Sequence, residues 1–453
     1  MHRPQVILIF DIGKTNKKIL VYNQQYEVLF EEFANFEEIE DEDGFPCEDL
    51  VALTDWVIRS FKKWKNNPEV ELKAINFSAY GASFVLVDEK GVPCFPLYNY
   101  LKPFPSTLQK TFYEKNGDNE KFALETASPN LGSLNAGMQL YRLKVEKAAQ
   151  FKKVKFALHL PQFFSYMLSN NPISEMTSIG CHTALWDFPS NAYHHWVKRE
   201  EIIDKFPPIQ SAQTIAGIDN SGVKIGAGLH DSSAALIPYL KCVHEPFLLI
   251  STGTWCISLN PFNQSPLTKL ELEKDCLFYI SYNRIPVKAS RLFAGQEHEK
   301  QVRRLAQHFD VEVEYYQQVK FNATFFDNIS KDEINILDDF NPHQFTFTNY
   351  SLAEFSSYED AYHRLIVNLV DMQIQSTNLI LLNSPVKSIY VDGGFSKNEI
   401  FMQILANKYS SYNVYAAAAP NASALGAAMV LHEEWNNNEL PSSILRFEQI
   451  QPK

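Results

Sequence analysis

One local pattern occurs twice in this chain, and it limits the folds available. Val6-Ile7-Leu8-Ile9-Phe10 is an apolar run that stops at Asp11. A short polar segment follows, Gly13-Lys14-Thr15-Asn16, and a second apolar run, Ile19-Leu20-Val21-Tyr22, comes directly after. Pro246-Phe247-Leu248-Leu249-Ile250 then leads through Ser251-Thr252-Gly253-Thr254 into Trp255-Cys256-Ile257-Ser258-Leu259. Apolar runs of about five residues bounded by Gly and small polar residues read as strands joined by tight turns. The recurrence predicts an internal duplication at the level of architecture, with a boundary near residues 240–246.

The stretches around these hairpins fit two α/β halves. In the first half, Glu27 to Phe33 predicts a third strand, Asp49 to Trp64 carries helical apolar spacing, and Lys73 to Ser78 predicts a further strand. The acidic run Glu37 to Asp43 between them reads as a solvated turn. Thr107 to Met167 is mainly helical, and Ser232 to Leu236 opens a small-residue helix. In the second half, Cys276 to Tyr282 is expected to take the place that Glu27 to Phe33 has in the first. Helices are expected at Lys300 to Phe309 and Glu359 to Asn378. A strand at Ser388 to Val391 stops at Asp392-Gly393-Gly394 before a helix over Glu399 to Lys408. The stretch between residues 310 and 355, with Asp338-Asp339 in it, carries no readable motif.

Composition excludes several functions. A formal charge of −12 over 453 residues argues against a nucleic-acid surface, which needs clustered Lys and Arg. No stretch approaches the roughly 18 apolar residues of a membrane span, and the first apolar run is too short for a signal peptide. The six cysteines form no C-x-x-C pair and match no zinc spacing. Reduced thiols in a cytoplasmic protein are the expectation.

Four polar turns can carry chemistry: Asp11 to Asn16, Gly228 to Asp231, Ser251 to Thr254, and Asp392 to Asn398. Two Gly/Thr turns, one per half, can offer backbone N–H groups and hydroxyls to a polyphosphate. Gly393-Gly394 permits close approach of a planar ligand beside a helix start. No G-x-x-x-x-G-K-[ST] loop is present. Asp231 is the best candidate for a general base toward a hydroxyl. Taken alone, it is equally well read as a helix N-cap, and His230 alone as a structural histidine.

The order of these motifs resembles the FGGY carbohydrate kinases, a branch of the actin-like and hexokinase-like ATPase superfamily. FDIGKTN, GLHDSSAAL, ISTGTW, VDGGFSKNEIF and ASALGAAM carry the resemblance, from residue 10 to residue 429. It implies two ribonuclease H-like domains, mixed sheets flanked by helices around a cleft, over residues 1–242 and 243–453. It implies ATP and Mg²⁺ as cofactors, with Asp231 as the base and Asp11 positioning the metal. By the same resemblance Gly13, Lys14, Thr15, Asn16, Lys17, Thr252, Gly253 and Thr254 lie at the phosphates. Gly393, Gly394 and Asn398 border the nucleotide, and Tyr80, Gly81, Ser83 and His230 line the sugar pocket.

FSAYGASFVLVDEKGVPCFPLYNY is similar to the sugar-site stretch of kinases for 6-deoxy ketohexoses, L-fuculose and L-rhamnulose. Ser83 stands where those kinases carry an acidic residue, and Lys14 is unusual inside the first phosphate loop. Other acceptors in the same family (xylulose, ribulose, glycerol) are the alternative. A non-catalytic actin-like nucleotide-binding module is the rival of a different class. The expected partners are a small-molecule sugar and at most a second copy of the chain, with neither nucleic acid nor membrane.

Overall fold

The computed structural model describes residues 3–330, 340–419, 421–441 and 443–453; the predicted acidic pair Asp338-Asp339 lies outside them. The chain divides into two compact units. The first holds residues 1–242 together with two later segments, 278–286 and 420–444. The second holds residues 243–277, 287–419 and 445–453.

In the first unit, β1 (Gln5–Ile12), β2 (Lys17–Asn23) and β3 (Val28–Ala34) form an antiparallel meander. β4 (Glu71–Ala79) pairs with β1 in parallel. Beyond β4 lie β5 (Ile215–Ile218) and β6 (Lys224–Gly226), in the order β5-β6-β4-β1-β2-β3. β1 and β2 are buried almost throughout, as expected of central strands with apolar side chains on both faces. Helix α1 (Leu50–Lys65) covers one face of the sheet through Leu53, Trp56, Val57, Phe61 and Trp64. Asp49 caps it by accepting from Ala52 N at 2.9 Å.

The opposite face holds α3 (Asp231–Cys242) and α7 (Ala422–Met429), packed on Ile7, Ile9 and Leu20. The small residues of α7 matter here. A Cβ at Gly426 would stand 1.8 Å from Ala234 O, so only glycine lets the two helices approach this closely. Asn76, fully buried in β4, donates to Ala427 O at 2.8 Å and accepts from Gly228 N at 3.0 Å. One polar side chain in the core thus fixes both α7 and the loop before Asp231.

In the second unit, β7 (Phe247–Thr252), β8 (Cys256–Asn260) and β9 (Pro286–Leu292) repeat the antiparallel meander. β10 (Ser388–Gly393) pairs with β7 in parallel, β11 (Asn413–Ala418) pairs with β10 in parallel, and β12 (Arg446–Ile450) closes the edge antiparallel. The five-strand order and directions of β3-β2-β1-β4-β6 and β9-β8-β7-β10-β11 coincide. The antiparallel edge strand differs: β5 precedes its neighbour in sequence, and β12 follows it.

Two expectations are corrected. The strand paired with β8 is Pro286–Leu292, so the counterpart of β3 is that strand rather than Cys276 to Tyr282, which does contain a strand at Cys276–Ile280. The acidic run Glu37 to Asp43 is solvated at every position but Asp41, and only part of it is a turn. It contains the short strand Glu38–Glu40, paired with Pro46–Glu48, and Asp41 is buried against Lys102 Nζ at 2.5 Å. The sequence shows the charges but not the lysine, 61 positions away, that neutralises one of them.

Candidate active site

In each unit the polar turns collect at the carboxyl ends of the parallel strands, where open α/β sheets place ligands. In the first unit Asp11 ends β1, with Ser78 of β4 and Lys18 of β2 as its register neighbours. The short strand Leu229–His230 pairs with the end of β4, His230 opposite Ala79. Asp231 then begins α3. This topology brings Asp11, Tyr80, Gly81, His230 and Asp231 to one end of the sheet. Tyr80 N donates to Ile12 O at 3.0 Å, and a Cβ on Gly81 would meet His230 Nε2 at 2.7 Å. Ser83 is buried just beyond Ala82, whose φ of 60° is in the left-handed region.

Asp231 Oδ1 accepts from Ser232 N at 2.6 Å and lies 3.3 Å from His230 Nε2. Its side chain keeps 32% of its surface open, so a substrate hydroxyl can reach it. Crowding by the surrounding protein nevertheless pushes its pKa up to about 6, against the two hydrogen bonds from Ser232. Asp11 is also pushed up to about 6, first by burial, with Lys18 and Ser423 pulling the other way and the charge of Asp231 adding to the rise. Ser423 Oγ donates to Asp11 Oδ2 at 2.9 Å, and Lys18 Nζ stands 3.8 Å away.

His230 is fully enclosed, and burial drives its pKa down to about 3, so it stays a neutral imidazole. Its backbone N donates to Thr177 Oγ1 at 3.0 Å, and Thr177 in turn donates to the buried Glu175 at 2.5 Å. That chain holds the backbone one residue before Asp231.

The first Gly/Thr turn closes through Gly13 N donating to Asn16 O at 2.9 Å, and Thr15 and Asn16 are exposed at its tip. Lys14 and Lys17, expected at the phosphates, both reach a buried carboxylate. Lys17 Nζ donates to Lys14 O at 2.8 Å and to Glu48 at 3.0 Å. Lys14 Nζ meets Glu38 at 2.6 Å and Glu48 at 3.2 Å.

In the second unit Gly253 N donates to Trp255 O at 2.9 Å, closing the matching turn. Thr252 Oγ1 donates to Asp392 O at 2.5 Å and accepts from Phe395 N at 3.0 Å. Gly393 has φ 91°, and a Cβ there would stand 1.9 Å from Thr252 O. A cavity of about 510 Å³ opens beside this turn. Thr252, Gly253, Gly394 and Asn398 line it, whereas Thr254 and Gly393 do not. Asn398 also caps α6 (Glu399–Lys408), accepting from Phe401 N at 3.0 Å, and donates to Tyr362 Oη at 2.7 Å. Gly393-Gly394 do not open α6 directly, because a short 3₁₀ turn, Phe395–Lys397, intervenes.

Several lining residues were not found from sequence. His298, Tyr316 and Phe395 give the cavity an aromatic wall, with ring centroids 5.0 Å (His298–Tyr316) and 5.3 Å (His298–Phe395) apart. Burial lowers the His298 pKa to about 4, so this wall is uncharged and suited to a planar base. Gly295 completes the wall, since a Cβ there would stand 1.8 Å from Gly253 O. In the first unit Cys181, His182 and Tyr279 crowd His230, and Ser423 holds Asp11. Gly295 is a lone glycine with no pattern around it, and like the other residues it reaches the site through long-range folding.

A family model for the N-terminal domain of the FGGY family of carbohydrate kinases matches residues 6–240, and one for the FGGY C-terminal domain matches residues 244–439. The chain belongs to the FGGY family of carbohydrate kinases. A rhamnulokinase of Halalkalibacterium halodurans is 23% identical over 265 residues, 55% of this chain and 55% of that protein. The chain thus spans about half the length of the curated relative it matches. The structure of a carbohydrate kinase from Novosphingobium aromaticivorans is similar with a TM-score of 0.81 at 20% identity, covering 100% of this chain and 95% of that one. Plasmodium falciparum glycerol kinase with ADP gives 0.72 at 15% identity, covering 95% and 90%. At these identities the structural likenesses establish the fold. Among the described residues no helix is long and apolar enough to cross a membrane.

Proposed function

We propose that the chain is an ATP-dependent sugar kinase that transfers the γ-phosphate of ATP to a hydroxyl of a ketose, a 6-deoxy ketohexose such as L-rhamnulose or L-fuculose. The observation that carries this reading is Asp231. It begins a helix at the end of a parallel strand, stays open to a ligand, and has a pKa of about 6. A carboxylate so placed is ionised at neutral pH yet basic enough to take a proton as a hydroxyl attacks phosphorus. The name of the rhamnulokinase relative supports the choice of sugar.

Roles follow from position. Asp231 accepts the hydroxyl proton, with Tyr80, Gly81, Ser83 and His230 on the acceptor side. His230 is neutral, so it can donate to or accept from a sugar hydroxyl without placing a second charge beside the base. Gly13, Thr15 and Asn16 in residues 1–242, and Thr252, Gly253 and Thr254 in residues 243–453, offer N–H and O–H groups to phosphate oxygens. Gly393, Gly394 and Asn398 border the nucleoside, whose base suits the aromatic wall of His298, Tyr316 and Phe395. Lys14 and Lys17 act on the first turn through Glu48 and hold its shape.

The donor set fits Mg²⁺. Asp11 and Asp231 are two carboxylates within electrostatic reach of each other, both pushed toward protonation chiefly by burial. Asp11 would hold the ion, directly or through water. When bound, Mg²⁺ supplies charge neutralisation at the transferring phosphoryl group.

The test is ADP release from MgATP with and without a panel of ketoses and polyols. Stimulation by a 6-deoxy ketohexose above xylulose, ribulose and glycerol is expected. A different best acceptor would move the substrate within the family. ATP hydrolysis indifferent to every sugar would favour a nucleotide-binding module instead.

A further inference from the structure

Beside Asp231 the first unit builds a cluster of which the proposed transfer chemistry uses only His230. Cys181, His182 and His230 are all buried, and each offers a ligand atom within 4.8 Å of the other two. Cys181 Sγ lies 2.9 Å from His230 Nε2. The rings of His182 and His230 are 6.3 Å apart and nearly perpendicular. Asp231 Oδ1, 3.3 Å from His230 Nε2, offers a fourth donor.

Three further features mark the cluster as more than packing. Among the described residues, His230 Nδ1 is buried without a hydrogen-bond partner. Gly81 lets the backbone pass close to the ligands, because a Cβ there would stand 2.7 Å from His230 Nε2 and 3.2 Å from Cys181 Sγ. His182 and Ala184 hold φ angles of 40° and 61°, left-handed conformations that side chains rarely adopt and that concentrate at ligand sites.

We infer that Cys181, His182 and His230, with Asp231, form a site for a borderline-soft divalent cation of the Zn²⁺ class. Thiolate and imidazole donors select such an ion over Mg²⁺, which prefers oxygen. Tetrahedral Zn²⁺ with bonds of about 2.3 Å to sulfur and 2.0–2.1 Å to nitrogen places its ligand atoms about 3.6 Å apart. The Sγ–Nε2 and Nε2–Oδ1 separations, 2.9 and 3.3 Å, are shorter than that value, so the donors spread by side-chain rotation to admit the ion. The consequence rests on the proposed function: an ion here occupies the base and the imidazole beside it, so it blocks acceptor activation and makes the enzyme sensitive to Zn²⁺.

Co²⁺ tests the site without any catalytic assay. Titration of the full chain with Co²⁺ in the presence of excess Mg²⁺ should give one equivalent of tetrahedral, thiolate-to-cobalt absorption, displaced by Zn²⁺. Cys181→Ser should lose the charge-transfer band, and His182→Gln should weaken Co²⁺ binding at least about tenfold. No band in the native protein, or an unchanged band in Cys181→Ser, overturns the site. A band accompanied by sugar phosphorylation indifferent to Zn²⁺ overturns the inhibitory consequence alone. ADP release that no sugar stimulates would instead count against the kinase reading, and it leaves the cobalt result as it stands.

Discussion

The turn after β1 and the turn after β7 hold the same place in their sheets but have different supports. Each closes through a glycine N–H donating across the turn at 2.9 Å, and each sits between antiparallel strands beside a parallel neighbour. The first is braced by charge. Lys17 is buried against Glu48, and Lys14 bridges Glu48 and Glu38. The second is braced by backbone contact. Gly295 and Gly393 come so close to Gly253 O and Thr252 O that no Cβ would fit. A duplicated hairpin has kept its place in the sheet while the length of its turn, residues 13–16 against 253–255, and its means of support diverged. The first turn should therefore respond to charge and the second to volume.

The volume side carries the larger effect. Gly295→Ala forces a methyl group into a backbone carbonyl at the wall of the cavity proposed for the nucleotide. We expect ADP affinity, measured by calorimetry, to fall about 100-fold or more, the cost of overpacking a tight contact. Unchanged ADP binding would break the contrast between the turns.

On the charge side, Glu48→Gln leaves the buried Lys17 ammonium without a carboxylate. A loss of about 3 kcal/mol of unfolding free energy is expected from chemical denaturation at neutral pH. A loss below about 1 kcal/mol would mean that the ion pair does not brace the turn.

The pH dependence is the next effect in size. As the proposed base, Asp231 must be ionised to act, and burial raises its pKa to about 6, so protonation would remove it as pH falls through that value. Ketose-dependent kcat/KM should drop about tenfold per pH unit below 6 and level off above it. A profile flat down to the ordinary carboxylate range would remove Asp231 from the proton transfer.

The smallest expected effect separates Lys14 from Lys17. Lys14 is more exposed than Lys17, and its Glu38 partner is 45% exposed. Lys14→Met should cost less than about 1 kcal/mol and change ADP affinity less than about threefold. A tenfold loss of ADP affinity would show that Lys14 leaves its carboxylates to meet phosphate.

The two hairpins were legible in the sequence because glycine and apolar runs are local signals. Asp231 emerged from the order of motifs, since a single aspartate before a helix reads as a cap. What stayed hidden depends on distant segments. Residues 278–286 and 420–444 return to the first unit and bring Tyr279 to His230 and Ser423 to Asp11. The aromatic wall of the cavity proposed for the nucleotide draws Tyr316 from a stretch without any motif. Glu48 could not be matched to Lys14 and Lys17, because ion pairing across 31 and 34 positions leaves no pattern in the chain. Asp41 in the acidic run before it read as solvated for the same reason.

Asp231→Asn tests the central claim most directly, with sugar phosphorylation and ADP binding measured on the same preparation. Asparagine keeps the size and the hydrogen bond from Ser232 but cannot take a proton. The account predicts that phosphorylation falls by a factor of about 10³ or more while ADP binds as in the native chain. Sugar phosphorylation that survives in Asp231→Asn would contradict it.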